Sequence, residues 1–379
     1  MKSLAIVATH PIQYYAPLYR ALASSGKIEL KVFYERFPTE EQQGQGFGRP
    51  FKWDIDLRSG YESAGETAGM NELFKGIASH RWHAILVHGW HSQLYRKVIG
   101  QAWNAHAPLM VRGDSHLHTD RKRWLQWLKT PIYRNLLSKF SVCFAVGTWS
   151  AQYYRHYGVP DHRIVLSPHC VDNTRLQLQS VQLRTERSQL RDAWGIHQDE
   201  FVFAFVGKMI SLKQISDLIM ALAELRESRP ELKLRGLLAG DGPLRSELEK
   251  LAARLNVPTT FTSFLNQSEV AKAYVAADCL VLSSRSETWG LVVNEALACG
   301  LPCIVSDKVG CGVDLIVPGV NGLIYPQSNV PRLAERLAVV AGGELRLNCG
   351  DKRVRELLLK FSPDRAAQGI LRGMEICRG

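Results

Sequence analysis

Short apolar runs alternate with amphipathic stretches along almost the whole chain, and this alternation restricts the possible folds more than any other feature. The runs are apolar nearly throughout, as expected for strands buried on both faces of a parallel sheet. Helices are predicted between them, so the pattern indicates doubly wound α/β layers. The predicted strands are Ser3–Ala8, Glu29–Tyr34, Ala84–His88, Leu109–Arg112, Val142–Val146, Arg163–Ser167, Phe201–Gly207, Lys233–Ala239, Thr260–Phe264, Cys279–Ser283 and Pro302–Ser306.

A polar segment from Asp172 to Glu200, rich in Gln and Arg and without a predicted strand, divides these strands into two sets. The 379 residues therefore predict a first α/β domain over residues 1–170 and a second over 171–360, each large enough for its own core. Residues 361–379 are predicted to form a helix that packs back on the first domain. Residues 35–72 form a polar, Gly-rich excursion, and so long an irregular stretch is usually functional or mobile.

Composition narrows the class of protein. No run of 18 apolar residues could span a membrane, and no signal-peptide core follows Met1, so we expect a cytoplasmic protein. The net charge is +11, and residues 1–172 hold 21 Lys and Arg against 13 Asp and Glu, a net of +8. A basic first half indicates an acidic partner there: anionic lipid, a phosphorylated substrate or nucleic acid.

The loop and helix after Cys279–Ser283 form the strongest local motif. The N–H groups of Gly290, Leu291 and Val292 open a predicted helix, which is a ready anion site at the sheet edge where α/β folds bind ligands. Glu287 on the loop and Glu295 in the helix are placed to bind two sets of hydroxyls. The alternative is that Glu287 is a helix-start charge and Glu295 an ordinary surface residue.

Three further turns follow predicted strands of the second half. Gly207 and Lys208 begin one of them and Lys213 ends it, and two cations beside a helix N-terminus suit a diphosphate. The alternative is two solvated lysines. Gly240 could let the backbone approach a nucleotide, or it serves the turn alone. At Leu265, main-chain groups could meet the edge of a base.

Together these motifs resemble the nucleotide-sugar domain of family 4 of the retaining glycosyltransferases: G-[RK]-x4-K, then A-G-D-G-P, then E-x7-E within E-x-W-G-L-V-V-N-E-A. The resemblance is close over residues 165–340. The first half is more loosely similar, to a branch found in surface-polysaccharide gene clusters. The resemblance implies two Rossmann-like domains facing across a cleft, the GT-B arrangement, with the donor mainly on the second domain and the acceptor on the first.

The family roles transfer to particular residues. Lys208 and Lys213 would hold the diphosphate, Glu295 the ribose hydroxyls, and Glu287 the hydroxyls of the transferred sugar, while the amides of residues 290–292 complete the phosphate site. No metal is expected, because the lysines and the helix N-terminus already neutralise the leaving diphosphate. No cofactor is expected beyond the nucleoside diphosphate sugar. Lys208 departs from the family, which usually has Arg there.

The acceptor side departs further from the family pattern. His10-Pro11-Ile12-Gln13 replaces the usual Gly-Gly loop, and Arg112-Gly113-Asp114 stands where a His is often found. Six polar side chains at predicted strand ends are candidates for this side, although each could be purely structural. They are His10, Gln13, His88, His91, Arg112 and Asp114.

Residues 119–140 predict a basic helix with an apolar stripe, Trp124, Trp127, Leu128, Ile132 and Leu136. Such a helix is typical of contact with an anionic membrane surface, and the alternative is packing on its own sheet. The D-x-D of Asp54 and Asp56 is the metal-binding motif of a different fold and is discounted, because it lies in the polar excursion. No nucleic-acid-binding motif is present, so no nucleic-acid partner is expected.

The sequence thus predicts a cytoplasmic enzyme, peripheral on the inner face of a membrane if the basic helix binds there. It would transfer a sugar with retention to a hydroxyl of a glycan or lipid-linked acceptor, in cell-surface polysaccharide or glycoconjugate synthesis. Two alternatives stay open: a GT-B epimerase acting on the sugar nucleotide, and a non-catalytic binding protein for sugar nucleotides or nucleic acid.

Overall fold

The computed structural model describes residues 1–118 and 123–377. Its strands form two parallel sheets, and most strand residues are buried. The first sheet contains β1 (Lys2–Ala8), β2 (Ile28–Tyr34), β3 (Glu62–Gly65), β4 (Ala84–Val87), β5 (Leu109–Gly113), β6 (Val142–Ala145) and β7 (Ile164–Leu166). The second contains β8 (Phe201–Val206), β9 (Leu234–Ala239), β10 (Thr259–Thr262), β11 (Cys279–Leu282), β12 (Cys303–Ser306) and β13 (Gly322–Tyr325).

Helices connect the strands, as parallel pairing requires. Within the described part of the chain, none of them is both long and apolar enough to cross a membrane. They are α1 (Ala16–Ser24), α2 (Glu40–Gln43), α3 (Glu66–Ala78), α4 (Gln93–Asn104), α5 (Arg123–Ser138), α6 (Thr148–His156), α7 (Asn173–Arg184), α8 (Arg187–Ala193), α9 (Ile215–Ser228), α10 (Arg245–Arg254), α11 (Val270–Ala276), α12 (Leu291–Ala298), α13 (Gly312–Leu315), α14 (Val330–Ala341), α15 (Lys352–Lys360) and α16 (Pro363–Ile376).

The first compact unit contains Met1–Pro38, Asp56–Val171 and Phe361–Gly379. Its sheet has the order β3-β2-β1-β4-β5-β6-β7, so the direction of winding reverses between β1 and β4. Helix α16 begins after Ser362, whose Oγ accepts from the Arg365 N–H. The helix is fixed to this unit where Ser167 Oγ donates to the Ala366 carbonyl at 3.0 Å.

The second unit contains Thr39–Ile55 and Asp172–Lys360. Its sheet has the order β10-β9-β8-β11-β12-β13, and the winding reverses between β8 and β11. The predicted first domain of residues 1–170 therefore needs a correction: residues 39–55 pack with the second unit. The physical reason is an aromatic cluster, since Phe51 stacks on Phe264 with ring centroids 4.1 Å apart.

The sequence prediction missed two strands, β3 and β13, and both lie at the edge of a sheet. Strand β3 reads Glu-Ser-Ala-Gly and, among the described strands, pairs with β2 alone, so it is not a buried apolar run. Strand β13 pairs with β12 at the edge of the second sheet, and its first residue Gly322 also forms a bridge with Pro318. An edge strand such as β3 has one neighbour, so it needs less of the continuous apolar pattern used to find the others, whereas β13, Gly-Leu-Ile-Tyr, is apolar and mostly buried.

Candidate functional site

The reversal of winding in the second unit lies between β8 and β11, and the predicted donor residues follow these two strands. Gly207, Lys208 and Lys213 come after β8, and Glu287 comes after β11. Open α/β sheets bind ligands at the carboxyl ends of strands at such a point, because the loops there diverge and leave a crevice. The residue placement therefore matches the edge expected for a ligand.

Lys213 and Glu287 form an ion pair across this edge. Their side chains keep only 20% and 17% of their exposure, so the pair is largely shielded from water. Ser283 fixes the approach of the two loops, because its Oγ bonds to the carbonyls of Lys213 and Gln214 at 3.0 and 2.8 Å. Lys213 is therefore not a solvated loop lysine. Glu287 does more than place a negative charge near the N-terminus of the following helix, because it pairs with Lys213.

Helix α12 opens directly after the Glu287 loop. Gly290 precedes it with φ +101°, a left-handed conformation that favours glycine. Trp289 Nε1 donates to Asn294 Oδ1 at 2.8 Å, which ties the loop to the first turns of the helix. The amides of Gly290, Leu291 and Val292 thus lie at a fixed helix N-terminus, where N–H groups have no acceptor within the helix.

Glu295 lies inside the second unit and is only 2% exposed, so the alternative of an ordinary surface residue is wrong. The Tyr274 hydroxyl donates to Glu295 Oε2 at 2.6 Å. Tyr274 is also 2% exposed, so this bond is shielded from water. One carboxylate oxygen of Glu295 is therefore held in place from the side of α11.

The turns after β8 and β9 pack tightly against each other. Gly240 has φ +141°, and a Cβ there would come within 1.9 Å of the Gly207 carbonyl oxygen. Only glycine fits, so Gly240 is required for the close approach of the two turns. Leu265 lies half-buried in the turn after β10, next to Phe264.

Lys208 lies half-buried on the turn after β8. Burial and the nearby charge of Lys213 lower the pKa of Lys208. Its Nζ donates to the Gln45 carbonyl at 2.8 Å and lies 4.9 Å from the centre of the Phe47 ring. Both lysines of the predicted diphosphate site are thus held by neighbours on this unit.

In the first unit, His88 forms the centre of a buried cluster at the reversal between β1 and β4. Its ring stacks on Tyr15 at 4.2 Å, and its Nε2 shares a hydrogen bond with the Tyr19 hydroxyl at 2.8 Å. Burial lowers the pKa of His88 well below the ordinary value, and the charges of Arg112 and His169 lower it further. The neutral imidazole is therefore favoured at this position.

Arg112 is 2% exposed and joins strand β5 to the segment after β7. Its Nε donates to the Ser167 carbonyl at 3.1 Å and its Nη2 to the Pro168 carbonyl at 2.8 Å. Asp114 is 45% exposed and lies 3.9 Å from His169 Nε2. Arg112 thus ties β5 to the segment after β7, whereas Asp114 is accessible beside a buried histidine.

The other acceptor-side candidates lie around this cluster. His10 Nδ1 shares a hydrogen bond with Thr9 Oγ1 at 2.9 Å, and burial lowers the pKa of His10, with a smaller effect of the Arg36 charge. Gln13 is half-buried, and His91 is exposed with its ring against Tyr95. Within residues 1–118 and 123–377, no hydrogen bond or ring contact joins these three side chains to His88.

Helix α5 occupies most of the predicted basic Trp helix. Residues 119–122 and the side chains of residues 123–127, which include both tryptophans, lie outside the described part of the chain. Leu128 and Ile132 are 56% and 66% exposed, whereas Leu136 packs on the core of the first unit. The stripe is therefore divided between core packing and an exposed apolar face.

The D-x-D pair does not form a common site. Asp54 accepts from Ser268 on the second unit, and Asp56 accepts from the amides of Arg58 and Ser59 on the first. Across residues 1–118 and 123–377, no group of three His, Cys, Asp or Glu side chains is arranged to hold a metal ion.

Comparison with known proteins identifies the family to which the chain belongs. Residues 12–170 match the model of the glycosyl transferase 4-like domain, and residues 186–353 match that of the glycosyl transferases group 1. The chain belongs to the family 4 glycosyltransferases. The D-inositol 3-phosphate glycosyltransferase of Kribbella flavida is 36% identical to this chain over 165 residues. These residues cover 41% of this chain and 39% of the Kribbella protein. The chain matches between 36% and 50% of the length of such curated relatives.

Solved glycosyltransferases share the fold. Anabaena HepE in complex with UDP-glucose has a TM-score of 0.71 at 16% sequence identity. The superposition covers 99% of this chain and 100% of HepE. WaaG, a glycosyltransferase involved in lipopolysaccharide biosynthesis, has a TM-score of 0.64 at 16% identity, with 96% and 98% covered. At this identity the likeness shows the fold alone. The expectation of two parallel α/β domains of the GT-B class is confirmed.

Sequence reasoning missed Tyr274 and Ser283 at the β8/β11 edge of the second unit and His169 in the first unit. Tyr274 lies in α11, 21 residues before its partner Glu295, and its small apolar helix gives no sign of the pairing. Ser283 appeared only as the end of a strand. His169 follows β7 and was not identified, although it comes at a strand end like the other candidates.

Proposed function

We propose that the protein is a retaining glycosyltransferase that moves a sugar from a nucleoside diphosphate sugar to a hydroxyl of a glycan or lipid-linked acceptor. The observation that supports this most is the shielded Lys213–Glu287 pair at the β8/β11 reversal, with the N-terminus of α12 directly after it. On this edge, the cation and the helix N-terminus suit the negative charge of a diphosphate. The carboxylate suits the hydroxyls of a sugar. The family membership supports the same donor class.

Each group has a distinct task in this proposal. Lys208, Lys213 and the amides that open α12 stabilise the negative charge that develops on the diphosphate as the glycosidic bond to it breaks. Glu287 accepts hydrogen bonds from hydroxyls of the transferred sugar, and Glu295 accepts from the ribose. The barrier is lowered by this stabilisation and by positioning of the two substrates, without a metal or a further cofactor.

The donor base and sugar are proposed from the neighbours. HepE was solved with UDP-glucose, so UDP-sugars are the first donors to test. In this proposal the base lies along the main chain near Leu265, at the end of the same sheet edge.

The acceptor is proposed to be presented at an anionic membrane surface. Leu128 and Ile132, one helical turn apart on α5, expose apolar side chains within a stretch that is basic in sequence. An exposed apolar pair on a basic helix fits the interface of an anionic bilayer. WaaG is involved in lipopolysaccharide biosynthesis, which supports a role in cell-surface glycoconjugate synthesis.

The test is a donor panel incubated with and without candidate acceptors in the presence of EDTA, followed by proton NMR. We expect release of nucleoside diphosphate that depends on the acceptor, and a product anomer that matches the donor anomer. Loss of activity in EDTA or an inverted product would overturn the mechanism. Conversion of the donor without any acceptor would favour the epimerase, and binding without turnover the non-catalytic alternative.

A further inference from the structure

Residues 39–55 come from the middle of the first-domain sequence but pack on the second unit. We call this segment the strap. It begins with a capped turn, since Thr39 and Gln42 bond to each other's backbone, and continues through the loop Gln45-Gly46-Phe47-Gly48. The proposed site uses none of these residues.

Several contacts fix the strap at the carboxyl end of β10. The Phe51 ring stacks on Phe264 at 4.1 Å, and Phe47 meets the same ring at 4.7 Å. Asn266 Nδ2 donates to the Lys52 carbonyl at 2.7 Å. The anchor residues flank Leu265, where the nucleotide base is proposed to lie, so the strap is attached at the nucleotide edge itself.

The loop of the strap meets Lys208. The Gln45 carbonyl accepts from Lys208 Nζ at 2.8 Å, and the Phe47 ring lies beneath the same ammonium at 4.9 Å. An ammonium has three N–H donors, so one bond to Gln45 leaves two for phosphate oxygens. A free lysine side chain would lose considerable rotamer freedom on binding a ligand, and a side chain that is already held loses less.

We propose that the strap is part of the donor site and that Gln45 and Phe47 position Lys208 for the diphosphate. This inference rests on the proposed function of Lys208. Gln45 and Phe47 are positioning residues. Burial and the charge of Lys213 disfavour the charged form of Lys208, whereas the Gln45 carbonyl and the Phe47 ring stabilise its ammonium and fix its orientation. The strap lies within the sequence of the first domain, and through Lys208 it would influence how tightly the second unit binds the donor.

Two glycines of the strap supply a matched pair of variants. Gly46 has φ +88°, and a Cβ there would lie 3.1 Å from Lys208 Nζ. Gly48 has φ +73°, and a Cβ there would have nothing within 4 Å. Both Gly46→Ala and Gly48→Ala carry the strain of a left-handed alanine, but only Gly46→Ala crowds the Lys208 side chain, whose end must then shift by a few tenths of an ångström.

The probes are UDP and uridine, because Lys208 would touch the diphosphate and not the nucleoside. Calorimetry should show UDP binding weakened about fivefold or more in Gly46→Ala, with uridine binding unchanged and Gly48→Ala close to wild type. Phe47→Leu should give a similar loss, and Phe47→Tyr should restore binding because it keeps the aromatic face. In a Lys208→Met background, Phe47→Leu should have no further effect on UDP.

Equal UDP affinities for the two glycine variants, equal losses of UDP and uridine, or additive effects of Phe47→Leu and Lys208→Met would overturn the positioning role. Hydrogen exchange of residues 39–55 shows whether each variant keeps the strap folded, and if Phe47→Leu does not, the comparison of Gly46→Ala with Gly48→Ala decides the test. A wild-type protein that binds no nucleoside diphosphate would overturn the proposed function as well, so the two failures are distinguishable.

Discussion

Glu295 offers a graded test of the nucleotide site. Its carboxylate is 2% exposed and accepts from Tyr274 at 2.6 Å, and a carboxylate can accept about four hydrogen bonds in all. A hydrogen bond to a charged group contributes about 1.5–3 kcal/mol. Glu295→Ala should therefore weaken UDP binding about 10-fold to 100-fold. Glu295→Gln keeps an acceptor for Tyr274 but makes neutral bonds, so it should lose about fivefold. Tyr274→Phe should fall between wild type and Glu295→Ala.

The assay is calorimetry with UDP and with its 2′-deoxy analogue, on variants that melt cooperatively. The wild type should prefer UDP, because the analogue lacks one hydroxyl that Glu295 would accept from. In Glu295→Ala this preference should disappear, since the acceptor is gone. If the folded variant binds UDP as the wild type does, or if the preference survives, Glu295 does not hold the ribose.

Three further predictions concern other parts of the molecule. Lys213→Ala should lower turnover about 100-fold or more, the scale for one charge-stabilising group, whereas Lys208→Arg should stay active in the same steady-state assay; an inactive Lys208→Arg enzyme would contradict the diphosphate role. Wild-type protein should sediment with anionic liposomes at low salt, and replacing Leu128 and Ile132 by Ser should weaken this; a wild type that never sediments would mean that α5 does not bind membranes. Because burial lowers the pKa of His88 below 6.5, the unfolded chain takes up the proton first as the pH falls. The free energy of unfolding should therefore decrease below about pH 6.5, and urea titrations should show a smaller decrease for His88→Phe.

Much of the fold follows from local pattern. Runs such as Phe201–Val206 are apolar on both faces, which is the pattern of central strands in a sheet covered on both sides. Strand β3 has no such pattern, because an edge strand needs only one partner. The position of residues 39–55 depends on the contact of Phe51 with Phe264, more than two hundred residues away, which no local pattern contains.

The placement of Lys208, Lys213 and Glu287 at one sheet edge was predictable, because these residues follow the ends of β8 and β11. The sequence could not show that Glu287 pairs with Lys213, since the two lie 74 residues apart on different loops. It could not show either that Tyr274 supports Glu295, because a tyrosine in an apolar helix looks like core. Which side chains meet at the sheet edge depends on the order of the strands in the sheet, and the spacing of motifs along the sequence does not specify that order.

The central claim is that the edge between β8 and β11 binds the donor. Hydrogen exchange with mass spectrometry, measured with and without the sugar nucleotide that the panel selects, tests it most directly. Donor should protect amides of residues 207–214 and 287–295 on the second unit, where the lysine turn and the opening of α12 lie. Protection confined to other parts of the chain, with no change in these two segments, would contradict the account.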